Sequence, residues 1–445
     1  MAKPIVAVVG RPNVGKSTFF NKMAGARISI VEDTPGVTRD RVYADVSWQN
    51  YDFTLVDTGG IDPYSDDPLL TQMRAQANIA IETADVILFF VDGREGLTGA
   101  DYEVADMLRR TKKPVLLVVN KLDTPIKDVD RMDFFALGIG EPLPISSVNL
   151  LGIGDLLEEL CKLLPDPEEA PAGEDEEGPL KIAVVGRPNV GKSSLVNAIL
   201  GQERVMVSDI AGTTRDAIDT PFRDNGRDYI IIDTAGIRRK AKVKEASLER
   251  YSVIRSLAAI RRCDCALLLI DAQDGVTEQD QRVAGYIADE GRACIILVNK
   301  WDALEKETGT LEKFTKKVRA DLKFLDYAPL LFISAKTGQR VNRLLPSVNE
   351  VCDNARRRIT TGLLNDALHD AISVTPPPSD HGRRLRIYYA TQASVAPPTY
   401  VLFVNDKDLF HYSYERYLEN HFRKSFVLDG TPIRILVRER GEKED

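Results

Sequence analysis

Cysteine is scarce: the 445-residue chain carries five, an odd number, spread along its length. That excludes a disulfide-stapled scaffold. Cys263 and Cys265 are the one close pair, and a single intervening residue with no second pair is a poor zinc pattern. All five are expected as reduced thiols packed like small apolar side chains. Long apolar runs are missing too. No stretch approaches the roughly 18 uncharged apolar residues that span a bilayer. The opening MAKPIVAVVG moves straight into strand-like residues, without the apolar stretch and cleavage site of a secretion signal. A cytoplasmic protein with no membrane partner is expected. Nor is positive charge in excess: 59 Lys and Arg against 67 Asp and Glu leave a net charge of −8. DNA is therefore not an expected partner, and any RNA contact must come from a local basic surface. His369, His381, His411 and His421 show no ligand spacing and are read as structural or surface groups.

What is present is ordinary in amount: 43% hydrophobic and 28% charged residues, typical of globular protein. The length suits about three domains. The arrangement is less ordinary. GRPNVGKST at Gly10–Thr18 recurs as GRPNVGKSS at Gly186–Ser194, 176 positions later. This repeat sets expected boundaries of 1–164 and 180–352 for two like units. The intervening 165–179 is acidic, rich in Pro and Gly, and without aromatic or large aliphatic side chains, so it reads as a flexible, self-repelling linker. Residues 353–445 form a third region.

Within each unit, near-continuous apolar runs alternate with amphipathic stretches. The runs fall at 5–10, 53–57, 86–92 and 115–121, and again at 182–186, 229–233, 266–271 and 294–300. Such runs mark strands covered on both faces, and the alternation predicts α/β units with a mostly parallel sheet and helices on both faces. The third region reads as helix (361–373), strand (384–392), strand (399–406), helix (412–426) and strand (432–440), a small α+β domain.

The motifs carry chemistry. In G-x-x-x-x-G-K-S, the residues Gly10, Arg11, Pro12, Asn13, Val14 and Gly15, and Gly186, Arg187, Pro188, Asn189, Val190 and Gly191, can turn backbone N–H groups onto phosphate. Lys16 and Lys192 place an ammonium on the β/γ oxygens, and Ser17 and Ser193 offer a hydroxyl to Mg2+. Asp57-Thr58-Gly59-Gly60 and Asp233-Thr234-Ala235-Gly236 each begin 41 positions after the loop lysine, where a carboxylate serves the Mg2+ side and a glycine N–H the γ-phosphate. Asn120-Lys121-Leu122-Asp123 and Asn299-Lys300-Trp301-Asp302 follow. A carboxylate at Asp123 and Asp302 can accept from guanine N1–H and N2–H2, a donor pair adenine lacks. Asn120 and Asn299 would face the other edge of the base, with the lysine stems over the ring. Ser146 and Ser147, and Ser334, Ala335 and Lys336, would back guanine O6 through backbone N–H. Thr38 and Thr214, each 21 positions after the loop serine, would complete the Mg2+ shell and sense the γ-phosphate.

These five motifs, present twice, resemble those of the Ras-like GTPases. One position departs: Ile61 and Ile237 stand where such enzymes carry a water-orienting Gln. Asn13 and Asn189 offer a carbonyl oxygen on the phosphate side, which suits a monovalent cation. With that substitution the chain resembles the TrmE–Era–EngA–Septin class, and within it the bacterial tandem GTPases, along essentially its whole length. The resemblance implies GTP/GDP and Mg2+ as ligands and K+ held partly by Asn13 and Asn189. It further implies a KH-like third domain and a role with the 50S ribosomal subunit and its RNA. The protein would act as a monomeric GTP-hydrolysing assembly factor or, alternatively, as a nucleotide-gated scaffold. A KH clamp needs G-x-x-G, and none follows residue 353. Two further features are specific to this chain. The segment after the second D-T-A-G is basic (Arg238, Arg239, Lys240, Lys242, Lys244), whereas that after the first is acidic. Arg384, Arg386, Tyr388, Tyr389, Arg416, Tyr417, Arg423 and Lys424 interleave charge and aromatic rings, which suits either an RNA contact or a core.

Overall fold

The computed structural model describes residues 3–25, 43–58, 69–122, 133–164, 178–202, 205–207, 219–234, 245–305, 307–380 and 383–439. The expected linker and the basic run 238–244 lie outside the described residues, apart from 178–179. The chain divides into two compact units, Met1–Ala172 with Lys242–Ala258, and Gly173–Ala241 with Ala259–Asp445.

In the first unit the elements run β1 (Ile5–Val9), α1 (Lys16–Gly25), β2 (Tyr43–Trp48), β3 (Tyr51–Asp57), α2 (Leu69–Thr83), β4 (Val86–Asp92), α3 (Gly99–Arg109), β5 (Val115–Asn120), β6 (Pro142–Pro144) and α4 (Ile153–Cys161). The strand order is β2-β3-β1-β4-β5-β6. All pairs are parallel except β2 with β3. Strands β1 and β4 are buried at every position. Their alternate residues feed two cores: Ile5, Ala7, Val9, Ile87, Phe89 and Val91 on one face, Val6, Val8, Leu88 and Phe90 on the other. Hence the unbroken apolar runs: neither face meets water.

The second unit opens with β7 (Leu180–Val185), α5 (Lys192–Leu200), β8 (Val205–Val207), β9 (Thr220–Asp224), β10 (Arg227–Ile232), α6 (Glu245–Arg262), β11 (Cys265–Asp271), α7 (Glu278–Asp289), β12 (Ala293–Asn299), α8 (Thr310–Asp321), β13 (Leu330–Phe332) and α9 (Leu344–Ala355). Its sheet order is β13-β12-β11-β7-β10-β9-β8, with β8, β9 and β10 antiparallel neighbours and the rest parallel. Residues of α6 up to Ala258 are assigned to the first unit, where Ile254 belongs to the core with Met73 and Ala77 and Arg255 pairs with Glu82.

The second unit continues into α10 (Thr361–Val374), a two-residue hairpin of β14 (Ser379–Asp380) and β15 (Arg383–Arg384), β16 (Ile387–Ser394), β17 (Thr399–Val404), α11 (Tyr412–Ser425) and β18 (Arg434–Glu439). This is the expected α-β-β-α-β order plus a small hairpin. The helices cover one face of the β16-β17-β18 sheet, with Ala390, Tyr400, Leu402, Leu418 and Phe422 in the core. In α11, Tyr412 is exposed, but buried Tyr414 and half-buried Tyr417 pack on the core and donate to the carbonyls of Thr375 and Ala371 at 2.9 and 2.8 Å. The strand aromatics Tyr388 and Tyr389 are exposed.

The module docks at the amino end of β12. Gly430 donates to the Tyr327 carbonyl and accepts from the Cys294 N–H, both at 2.8 Å. Asn354 donates to the Asp429 carbonyl at 3.1 Å, and the Arg423 guanidinium lies 5.4 Å from the Tyr327 ring centre. Gly430 has a φ of +81°, and a Cβ there would lie 2.3 Å from Val351. All five cysteines are free and buried, as expected. Burial pushes the Cys263 thiol up to about 12, so it is unreactive at neutral pH. Among the described residues no helix is long and apolar enough to cross a membrane.

Candidate nucleotide sites

In each unit a buried strand ends at a glycine, the chain loops, and a helix begins at lysine. The loops use left-handed backbone at Asn13 (φ 66°) and Asn189 (φ 65°) and at Gly15 and Gly191. A Cβ on Gly15 would lie 2.2 Å from Asn120 Nδ2, and one on Gly191 2.3 Å from Asn299 Nδ2. Glycine is thus required by both conformation and space.

Lys16 donates to the carbonyls of Gly10 and Arg11 at 2.6 and 2.7 Å. Lys192 donates to those of Gly186 and Arg187 at 2.7 and 2.8 Å. Neither forms an ion pair among the described residues. Burial pushes the Lys16 ammonium down to about 8, with the Asp57 carboxylate opposing. Burial also takes Lys192 to about 8, with Asp280 opposing. A desolvated cation at a helix N-terminus, held only by carbonyls, is chemically matched to an anion such as phosphate.

The sequence reading sets Asn120 and Asn299 against the base. In the structure each amide also acts as a strut, which engages its oxygen and one of its two Nδ2 N–H groups. Asn120 is 1% exposed; its Nδ2 donates to the Val14 carbonyl at 2.7 Å, and its Oδ1 accepts from Ser147 N–H at 2.9 Å and Ser147 Oγ at 3.0 Å. Asn299, 2% exposed, donates to the Val190 carbonyl at 2.8 Å and accepts from Ala335 N–H at 2.9 Å. A buried amide saturates its capacity wherever partners lie, and here they lie in the phosphate loop and the fifth motif. The N–H groups of Ser147 and Ala335 are likewise taken, by the oxygens of these amides. Ser146 and Ser334 close the same loops by accepting from Asn149 N–H (3.3 Å) and Thr337 N–H (3.2 Å). Asp302 is exposed on the short turn Trp301–Ala303, beside the end of β12. Asp123, Thr38, Thr214, Gly59, Gly60, Ile61, Ala235, Gly236 and Ile237 lie outside the described residues.

Ser17 Oγ donates to Asp57 Oδ2 at 2.8 Å. A hydroxyl and a carboxylate side by side at the end of β3 are the hard oxygen donors that Mg2+ takes. The described residues hold no group of three or more His, Cys, Asp or Glu able to bind a metal.

One element escaped the motif reading. The strings DGREGLTGAD (92–101) and DAQDGVTEQD (271–280) share D-x-x-[DE]-G-[LV]-T-x-x-D, a signal that lining up the two halves exposes. Asp92 pairs with Lys121 at 2.6 Å, and Asp271 with Lys300 at 2.5 Å. Asp101 and Asp280 each accept from the N–H and hydroxyl of their own Thr98 or Thr277, capping α3 and α7. The guanidinium of the phosphate-loop arginine reaches the same carboxylates: Arg11 Nε lies 3.5 Å from Asp101, and Arg187 Nε 3.6 Å from Asp280.

Twice over, then, a mostly parallel sheet presents a strand–loop–helix phosphate cradle, a switch-side aspartate and an asparagine strut at its carboxyl edge. That defines a P-loop protein of the GTP-binding class with two nucleotide domains. The comparisons agree. Residues 5–121 and 181–300 match the family described as "50S ribosome-binding GTPase", and residues 358–438 match the "KH-domain-like of EngA bacterial GTPase enzymes, C-terminal". The chain is 59% identical over 448 residues to GTPase Der of Ruminiclostridium cellulolyticum, and 58% identical over 445 residues to GTPase Der of Acetivibrio thermocellus. In each case 100% of both chains is covered. The chain belongs to the Der family of tandem GTPases.

Proposed function

We propose that the chain is a GTP-hydrolysing factor for assembly of the large ribosomal subunit, acting as a cytoplasmic monomer. The observation that carries this reading is the doubled cradle: two desolvated lysines at about 8, each facing a phosphate-shaped loop braced by an amide strut. In it, Lys16 and Lys192 bind the phosphates, and Asp123 and Asp302 choose guanine. Ser17, Thr38 and Asp57, with Ser193, Thr214 and Asp233, hold Mg2+, while Asn13 and Asn189 contribute to a K+ site. When bound, these cations offset the negative charge that grows on the phosphoryl oxygens. Ile61 and Ile237 cannot order a water by hydrogen bonding, so the chain's own contribution is positioning and charge. The reading keeps the division into GTPase domains at 1–164 and 180–352, a linker at 165–179 and a ribosome-facing module from 353.

Ribosomal RNA contact is supported by the open face of the module's sheet. Tyr389, 42% exposed, stacks on Phe403 with centroids 4.4 Å apart and planes at 15°. Arg438 lies beside Phe403 in register, and Leu436 is exposed on the same face. Rings flanked by guanidinium suit stacking with phosphate contact rather than a G-x-x-G clamp.

Titration with GTP and ATP tests the first half. Two equivalents of GTP per chain, with ATP much weaker, are expected; equal uptake of ATP, or one equivalent only, would overturn it. Cosedimentation with 50S particles under GDP, GTP and a non-hydrolysable analogue tests the second, and affinity independent of nucleotide would sink it. A nucleotide-switched affinity with negligible single-turnover hydrolysis would instead make the protein a gated scaffold. Equal hydrolysis rates in KCl and NaCl at one ionic strength would remove K+.

A further inference from the structure

The loop from Asp92 to Asp101, with its repeat from Asp271 to Asp280, touches both ends of its cradle. At one end Asp92 holds the Nζ of Lys121, the lysine of the guanine motif. Its other oxygen accepts the N–H groups of Arg94 (2.9 Å) and Glu95 (3.1 Å), shaping the turn. Burial alone would push the Asp92 carboxyl up, but Lys121 and those N–H groups hold it below its usual range. Asp271 repeats the arrangement, pairing with Lys300 and accepting from Gln273 N–H at 3.0 Å. At the other end stands the phosphate-loop arginine. Arg11 pairs with Glu95 at 2.5 Å and faces the fully buried Asp101. Arg187 pairs with Asp274 and faces the fully buried Asp280. Both guanidinium groups point away from their own loops, which leaves phosphate binding to backbone N–H and lysine. In both units the same atoms, arginine Nε and aspartate Oδ1, are buried with no hydrogen-bond partner among the described residues. Both units carry the same network.

We propose that this acidic loop is a positioning element, in which Arg11 and Arg187 latch the phosphate loop while Asp92 and Asp271 aim the lysine stem at the base. The inference rests on each cradle being a guanine-nucleotide site. The two ends should be separable. Arg11→Met keeps the stem and loses the latch. Affinity of the first site for GDP and GTP should fall by about tenfold, the scale of one lost charge-assisted contact to a buried group, with the preference for GTP over ATP intact. Asp92→Asn should do the reverse, eroding the preference for guanine more than affinity for the phosphate tail. Arg11→Lys should recover part of the loss, since a point charge replaces a fork. The second site, untouched in these full-length variants, reports folding, and Arg187→Met with Asp271→Asn repeats the test there.

The measurement is fluorescent-nucleotide titration of each site with guanine and adenine nucleotides. Unchanged affinities in both variants would overturn the proposal. So would equal losses on both axes from either variant, since a mere scaffold would fail that way. Absence of GDP binding to the unaltered chain would instead indict the nucleotide assignment itself.

Discussion

The two cradles are built from nearly the same words, yet they differ at the metal side. In the first, Asp57 ends β3 in extended backbone, with its carboxylate on Ser17 Oγ at 2.8 Å, and Thr58 donates to the Val8 carbonyl. In the second, Asp233 has a left-handed φ of 56° and donates its N–H to Asp219 Oδ1 at 3.0 Å. The Thr234 hydroxyl lies 2.9 Å from that of Thr220. The cause is legible one strand away. Asp219 and Thr220 stand 14 positions before Asp233 and Thr234; 14 positions before Asp57 and Thr58 stand Tyr43 and Ala44. A short carboxylate and a threonine hydroxyl hold the strand end in the second unit, and Tyr43 and Ala44 supply neither in the first. Identical motifs thus end in different local geometry, and the neighbouring strand differs at the positions that touch it.

The largest effect that could break the comparison is steric. Gly15→Ala and Gly191→Ala should each abolish tight binding at their own site, weakening it by at least about a hundredfold, because the new methyl meets the strut amide. Binding stoichiometry should drop from two to one in either variant; tolerance of one substitution would show that the cradles are not equivalent. Next comes pH. Burial pushes both loop lysines down to about 8, against the pull of Asp57 and Asp280, and a bound phosphate would raise that value. Nucleotide binding must then take up a proton above pH 8, so apparent GDP affinity should be flat below pH 7 and fall up to about tenfold per unit above 8 at both sites. The nucleotide-free fold has the opposite dependence: the buried ammonium costs stability below pH 8, and that cost is relieved as pH rises toward the ordinary lysine value. A single site responding, in GDP titrations from pH 6.5 to 9.5, would contradict the matched environments.

The smallest effect sharpens the contrast. Removing both captors, Asp219→Ala with Thr220→Ala, should release Asp233 and move the Mg2+ dependence of GTP binding at the second site about threefold toward that of the first, the scale of one modest hydrogen bond. An unchanged Mg2+ titration would mean that the left-handed backbone has another cause.

Much of the architecture was legible before any coordinates. Strands β1, β4, β11 and β12 are buried on both faces and so read as continuous apolar runs. Strand β2 was missed because as an edge strand it is mostly half-exposed and its composition mixed. The strut role of Asn120 and Asn299 was not foreseen because an amide serves a base edge or a carbonyl equally well, and only packing shows which carbonyl is within reach. The positioning loop was overlooked because its carboxylates match no nucleotide motif; their meaning depends on Arg11 and Lys121 arriving from strands distant in sequence.

What the chain order decided alone is the phosphate-binding turn, since glycine spacing and a following helix are local properties that persist wherever the segment lies. It also decided the number of such turns and the lysine each carries. What the tertiary fold decided is everything that needs two segments to meet: the desolvation that takes those lysines to about 8, the amide struts, the docking of Gly430 on β12, and the separate postures of Asp57 and Asp233. Burial and hydrogen-bond geometry are set by neighbours remote along the chain, and no local pattern carries them.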